Sequence, residues 1–258
     1  MAPVSDIDDS AMPLVEHLTE LRQRLIRAAI VIGVLFVACF IVAEEIFEIL
    51  VIPFQWGQPG EAVTLNFFAL EEFFFVKLKI AFFGAMFLAF PVIATEIYKF
   101  VAPGLYRNER RAFLPFLVAT PILFFLGACL VFFVIMPLAT AFFLSQQQFG
   151  EVTIQNVQGT ATYLSLIMTL IFAFGLAFQL PVVITLLARA ELVSSDTLKA
   201  KWKWAIVVTF AFAAFLTPPD PISQLGLALP TLLLYQLGIL SARMVERQRA
   251  EREAELDA

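Results

Sequence analysis

Histidine and cysteine are almost missing from this chain: His17, Cys39 and Cys129 are the only three in 258 residues. A zinc site takes about four N, S or O ligands at close spacing, so no metal set can be assembled from them. A Ser–His protease working inside a membrane needs a histidine there, and His17 stands in a polar leader. No glycine-rich phosphate-binding loop occurs, which removes nucleotide-driven chemistry. The two cysteines each lie within a long apolar run and read as small packing residues rather than a disulfide. Charge is scarce as well, at 15% of residues where about 25% is usual. These absences leave no catalytic centre, no cofactor and no metal site, and the chain reads as a non-enzyme.

What fills the space is apolar. Such residues make up 60% of the chain, 29 of them phenylalanine, and the mean hydropathy is +0.87. A soluble protein of this size could not hide that much apolar surface, and disorder requires the opposite composition. The chain is therefore read as an all-α integral membrane protein in a lipid bilayer, with no nucleic-acid partner. Its first 23 residues are polar and mixed in charge, and the apolar run behind them is long enough to remain as an anchor rather than a cleaved signal.

A crossing takes about 20 apolar residues. The first run, Leu25 to Ala43, is broken only by Arg27 and ends at Glu44, Glu45 and Glu48. A second covers Ile80 to Thr95 and extends back through Phe73. Ala112 to Gly150 and Val152 to Ala188 carry no charge and give one crossing each, with Gln155 to Thr162 as loop. Trp204 to Ala242 would span about 58 Å as one helix, too long for a single crossing. Its Thr217-Pro218-Pro219-Asp220-Pro221 stretch forces a turn. Two short spans result, about 203–217 and 222–240, making six in all. The organisation expected is a cytoplasmic amphipathic segment 1–24, a six-span domain 25–240 and a charged cytoplasmic tail 241–258.

Fifteen of the 17 basic residues fall at the N-terminus, the C-terminus and the connections after the second and fourth spans. Connections 45–72, 145–162 and 217–221 contain no Lys or Arg. The positive-inside rule then places both termini in the cytoplasm. Lys77 and Lys79 remain, and read as snorkelling side chains near Glu71 and Glu72.

Prolines 91, 115, 121, 137, 181 and 230 predict kinked helices. Ala81, Ala85 and Ala89 form a four-residue ladder suited to close helix approach. Gln179 is a mid-span amide that requires a partner, whether a neighbouring helix, another protein or a wet cavity. Glu96 reads as facing the headgroups. At the N-terminus, Leu14, Leu18, Leu21 and Leu25 share one helical face, and Glu16, Glu20, Gln23 and Arg27 another. This predicts an amphipathic helix lying at the membrane surface and leading into the first span. By spacing alone, Glu20 and Arg24 are an ordinary i,i+4 pair.

Three motifs then resemble one family. His17-Leu18-Thr19-Glu20-Leu21-Arg22-Gln23-Arg24 is similar to the HLxELRxR signature of TatC, the large subunit of the twin-arginine protein translocase. Phe100-Val101-Ala102-Pro103-Gly104-Leu105-Tyr106, with Glu109-Arg110-Arg111, resembles its first cytoplasmic loop. Leu216-Thr217-Pro218-Pro219-Asp220 resembles the turn before its last span. The resemblance implies a receptor and scaffold in the bacterial cytoplasmic (inner) membrane. It would recognise folded cargo bearing Arg-Arg signal peptides and work in oligomers with single-span TatA/TatB-type subunits, driven by the proton-motive force.

The resemblance assigns Glu20 and Glu109 to the paired arginines, with Phe100, Leu18 and Arg22 shaping the same surface. A guanidinium binds a carboxylate bidentately and Lys loses that fork, so a Lys-Lys peptide should bind less well. Pro53, Pro91 and Asp220 match family positions tied to folding or function. Gln179 departs from the Glu that many members carry, so it can hydrogen-bond a partner but neither titrate nor pair ionically. A small-solute transporter would show inverted repeats and polar groups converging at midplane; neither is visible.

Overall fold

The computed structural model describes residues 8–57, 65–101, 114–145, 148–149, 152–153, 159–217 and 220–256. Ten helices carry almost all of the described chain. They are α1 (Asp8–Ile41), α2 (Ala43–Gly57), α3 (Glu72–Val101), α4 (Leu114–Leu130), α5 (Met136–Ser145), α6 (Thr160–Ala177), α7 (Leu180–Arg189), α8 (Ser195–Ala200), α9 (Trp202–Leu216) and α10 (Pro221–Leu256). A π-helical turn, Val131–Ile135, joins α4 to α5, and a small hairpin pairs Gln148–Phe149 with Val152–Thr153.

Among the described residues five stretches are long and apolar enough to cross a membrane: His17–Ile41, Glu72–Phe100, Phe116–Ser145, Thr160–Arg189 and Pro221–Glu251. The remaining apolar helix, α9, has 15 residues, about 22 Å against a hydrocarbon core of about 30 Å. Its position matches the short fifth span expected from sequence.

The expected short sixth span, 222–240, lies inside helix α10. Helix α10 runs 36 residues without a break and passes straight through residue 240 into the charged tail. Apolar length measures what fits in lipid, whereas the helix continues as long as its residues favour it. The tail's Glu, Arg, Gln and Ala are good helix formers. Likewise α1 runs 34 residues through residue 24, so the described part of the leader leads into the first crossing as one helix. Helix α2 was not expected. It falls in the stretch 45–72 read as a connection, and Leu50, Val51, Pro53 and Phe54 are buried.

Helices α2, α3, α4 and α10 continue through Pro53, Pro91, Pro121 and Pro230. Departures from α geometry occur ahead of two others. The π turn precedes Pro137, and the α6–α7 break at Phe178–Gln179 precedes Pro181. A proline offers no N–H to the carbonyl four residues back and crowds it, which a local change of winding relieves.

In lipid, apolar burial drives helix association only weakly, so close fit and hydrogen bonds carry it. The fit here is aromatic and glycine-mediated. Phe124 and Phe174 are fully buried, and Phe90 stacks on Phe124 with ring centroids 3.7 Å apart. Gly127 and Gly175 let α4 and α6 touch: a Cβ on Gly127 would lie 2.7 Å from the Phe174 carbonyl oxygen, and one on Gly175 2.5 Å from the Phe124 ring. Ala81, Ala85 and Ala89 are wholly buried, as the ladder predicts. Both cysteines are free. Lys77 pairs with Glu44 at 3.2 Å and lies over the Phe40 ring, tying α3 to the α1–α2 corner.

Candidate functional site

Where α1 crosses the C-terminal end of α3, three charged side chains meet. Arg24 Nε donates to Glu20 Oε1 at 3.1 Å, and its Nη2 donates to the same oxygen. The third nitrogen, Nη1, donates to Glu96 Oε2 at 3.0 Å. The i,i+4 pair expected from spacing is therefore present, and it is bound into a larger group by a residue 72 positions away. Glu96 faces this cluster rather than headgroups. Its side chain is 13% exposed and that of Arg24 16%, while Glu20 remains 38% exposed. Both Arg24 contacts fall on Oε1, so Glu20 Oε2 is open among the described residues.

One helical turn further along each helix, His17 stacks on Phe100, with centroids 4.3 Å apart and planes at 17°. The ring stack and the ion cluster fix α1 against α3 at two points. Leu18, 63% exposed, and Arg22, also exposed, lie on the same helix. The fold thus brings Glu20 and Phe100 of the expected site to one helix crossing, with Leu18 and Arg22 on the same segment of α1. Glu109, with the rest of the Ala102–Arg111 motif, lies outside the described residues. Glu96 and His17 were missed as partners at this crossing. The Glu20/Arg24 spacing signalled one contact, and no sequence signal pairs either residue with Glu96.

The other expected residues are structural in their contacts. Gln179 lies at the break between α6 and α7, where its Nε2 donates to the Thr120 carbonyl of α4 at 3.0 Å and, more weakly, to Gly175 O at 3.4 Å. Of the three outlets open to this amide, the neighbouring helix is the one observed. Pro53 is buried on α2 one turn from Leu50, whose carbonyl accepts the Tyr163 hydroxyl of α6 at 2.8 Å. Pro91 lies within α3, and its carbonyl accepts the Thr95 hydroxyl at 2.7 Å. Asp220 caps α10: its Oδ1 accepts Ser223 N–H at 2.7 Å, with Pro221 in the first helical position. Pro218 and Pro219 lie outside the described residues.

A concave apolar pocket of about 1160 Å³ opens between the spans, lined by Phe36 of α1, Phe82 of α3, Phe172 of α6, Phe212 of α9 and Leu227 of α10, with Lys79 at its wall. Among the described residues no three His, Cys, Asp or Glu side chains lie together as a metal site.

The family model for Sec-independent protein translocase protein (TatC) matches residues 16–230. The chain belongs to the TatC family. It is 45% identical to the TatC of Magnetococcus marinus over 255 residues, covering 98% of this chain and 92% of that one. Identity to TatC of Escherichia coli K12 is 34% over 245 residues, 95% of this chain and 93% of that protein. A crystal structure of the twin-arginine translocase receptor TatC is similar with a TM-score of 0.77 at 33% identity, covering 89% of this chain and 99% of that one. This TatC-family chain is thus a multi-pass membrane subunit of the Sec-independent translocase, a transport component and not an enzyme.

Proposed function

We propose that this chain is the receptor of its translocase, binding the Arg-Arg motif of signal peptides on folded cargo at the α1–α3 crossing on the cytoplasmic face. The observation that carries the reading is the half-open Glu20 carboxylate. One oxygen is committed to Arg24 and the other has no partner among the described residues, on a side chain 38% exposed one turn from the His17–Phe100 stack. A charge-assisted bond from a guanidinium to that oxygen is roughly twice as strong as a neutral one. Glu109, as the family motif implies, supplies the second carboxylate, and Arg22 helps shape the surface. The apolar stretch that follows the arginines is suited to the phenylalanine-lined pocket between the spans.

In this reading α9 is a sixth, short crossing, which puts both termini in the cytoplasm of a cell whose inner membrane holds the protein. Residues 1–24 form the receptor segment, 25–240 the spanning domain and 241–258 the tail. Single-span TatA/TatB-type subunits pack against the exposed helix faces in an oligomer, and the proton-motive force drives export. Gln179, Pro53, Pro91 and Asp220 support the scaffold through the contacts described above. The test is export of a twin-arginine cargo by Glu20→Ala and Glu109→Ala, with insertion of each variant verified. Both should insert and neither should export; normal export by both would overturn the assignment.

A further inference from the structure

Glu20 is an odd choice for a cation receptor, because a cation already occupies it. Arg24 places two donors on Oε1, and a carboxylate paired one-to-one with a guanidinium has no net charge left to attract another. Glu96 changes that balance. It accepts the third Arg24 nitrogen at 3.0 Å, so the cluster holds two carboxylates and one guanidinium and keeps a net charge of −1. Of the three, Glu96 and Arg24 are mostly covered, at 13% and 16% exposure, and Glu20 is the outlet at 38%. The surplus charge is therefore presented at Glu20 Oε2. Arg22, Arg27 and Lys99 are the other basic groups on these two helix segments. All three are exposed, so water and salt screen them more than they screen the covered cluster.

We propose that Glu96 is a specificity-determining residue acting through Arg24. It compensates the Arg24 charge so that Arg24 can hold the Glu20 carboxylate in one orientation without cancelling its attraction for an incoming arginine. Arg24 is then a positioning residue. It anchors Oε1 and leaves Oε2 without a partner among the described residues, which favours a planar guanidinium over a freely rotating ammonium. The inference rests on Glu20 being the arginine acceptor, and the experiment separates the two.

The full-length protein is placed in nanodiscs, and binding of a fluorescent synthetic signal peptide is titrated in its Arg-Arg and Lys-Lys forms. Glu96→Gln keeps an acceptor for Arg24 but leaves the cluster neutral, so Arg-Arg binding should weaken about three- to tenfold. Adding Arg24→Gln restores the charge of −1, and the double variant should return to within about twofold of the parent. Arg24→Gln alone should bind the Arg-Arg form at least as tightly as the parent with a reduced preference over Lys-Lys. That single variant tests the inference even where Glu96→Gln folds poorly. Parent-like binding by Glu96→Gln, a double variant as weak as Glu96→Gln, or weakened Arg-Arg binding by Arg24→Gln would each overturn the proposal. A merely structural role predicts damage from every change and no rescue. Loss of binding in Glu20→Gln with none in Glu96→Gln would remove this inference alone. Unaltered binding in Glu20→Gln would remove the receptor assignment and this inference with it.

Discussion

Replacing Gly127 with alanine tests whether the α4–α6 crossing holds the spanning domain together. The new Cβ would sit 2.7 Å from the Phe174 carbonyl oxygen, 2.8 Å from its carbon and 3.0 Å from the Gly175 Cα, where ordinary contact begins at 3.4 Å. All three neighbours are backbone, so no side chain can rotate away. The helices must separate by about 0.7 Å, at a cost typical of overpacking, about 1–3 kcal/mol. That separation also pulls the Gln179 amide away from Thr120. Gly33 is the matched control, since a methyl group there would meet nothing within 4 Å, and Gly33→Ala should be neutral or stabilising by up to about 1 kcal/mol. Equilibrium unfolding of both variants in mixed micelles, followed by far-UV circular dichroism, gives the difference. Equal stability of Gly127→Ala and Gly33→Ala would refute the close-packing argument.

Two further outcomes follow from the contacts at helix ends. Asp220→Ala removes the α10 cap and should cost about 0.5–2 kcal/mol in the same unfolding assay, whereas Asp220→Asn keeps an acceptor for Ser223 N–H and should fall within about 0.5 kcal/mol of the parent. Glu246→Ala removes the acceptor for both Ser195 N–H (2.7 Å) and Ser195 Oγ (2.6 Å), so hydrogen exchange across 194–201 should accelerate while the spans retain their protection.

Sequence made the membrane character and the α9–α10 turn legible, because lipid demands long apolar runs and prolines end helices wherever they cluster. It also placed Glu20 next to Arg24, since an i,i+4 spacing is a distance on a helix. Contacts between helices left no such trace. Arg24 meets Glu96, and Gln179 meets the Thr120 carbonyl, only because α3 and α4 happen to pass there. Helix α2 was hidden by Glu44, Glu45 and Pro53, which look like loop residues but are compatible with a helix whose acidic start suits its own dipole. The length of α10 was hidden for the opposite reason: its extension beyond residue 240 answers to partners outside lipid. Glu246 grips the start of α8 and Arg249 pairs with Glu191, so the tail braces the α7–α9 connection. The positive φ of 62° at Glu191, in the turn after α7, is part of that same brace.

Whether Glu20 receives an arginine can be read by placing a photo-crosslinking residue at Leu18, which is 63% exposed and leaves the Glu20 carboxylate intact. Irradiation with a radiolabelled Arg-Arg signal peptide should give a strong adduct, reduced several-fold for the Lys-Lys peptide and abolished by Glu20→Gln. Equal adducts from both peptides, or an adduct that survives Glu20→Gln, would contradict recognition of the paired arginines at this crossing.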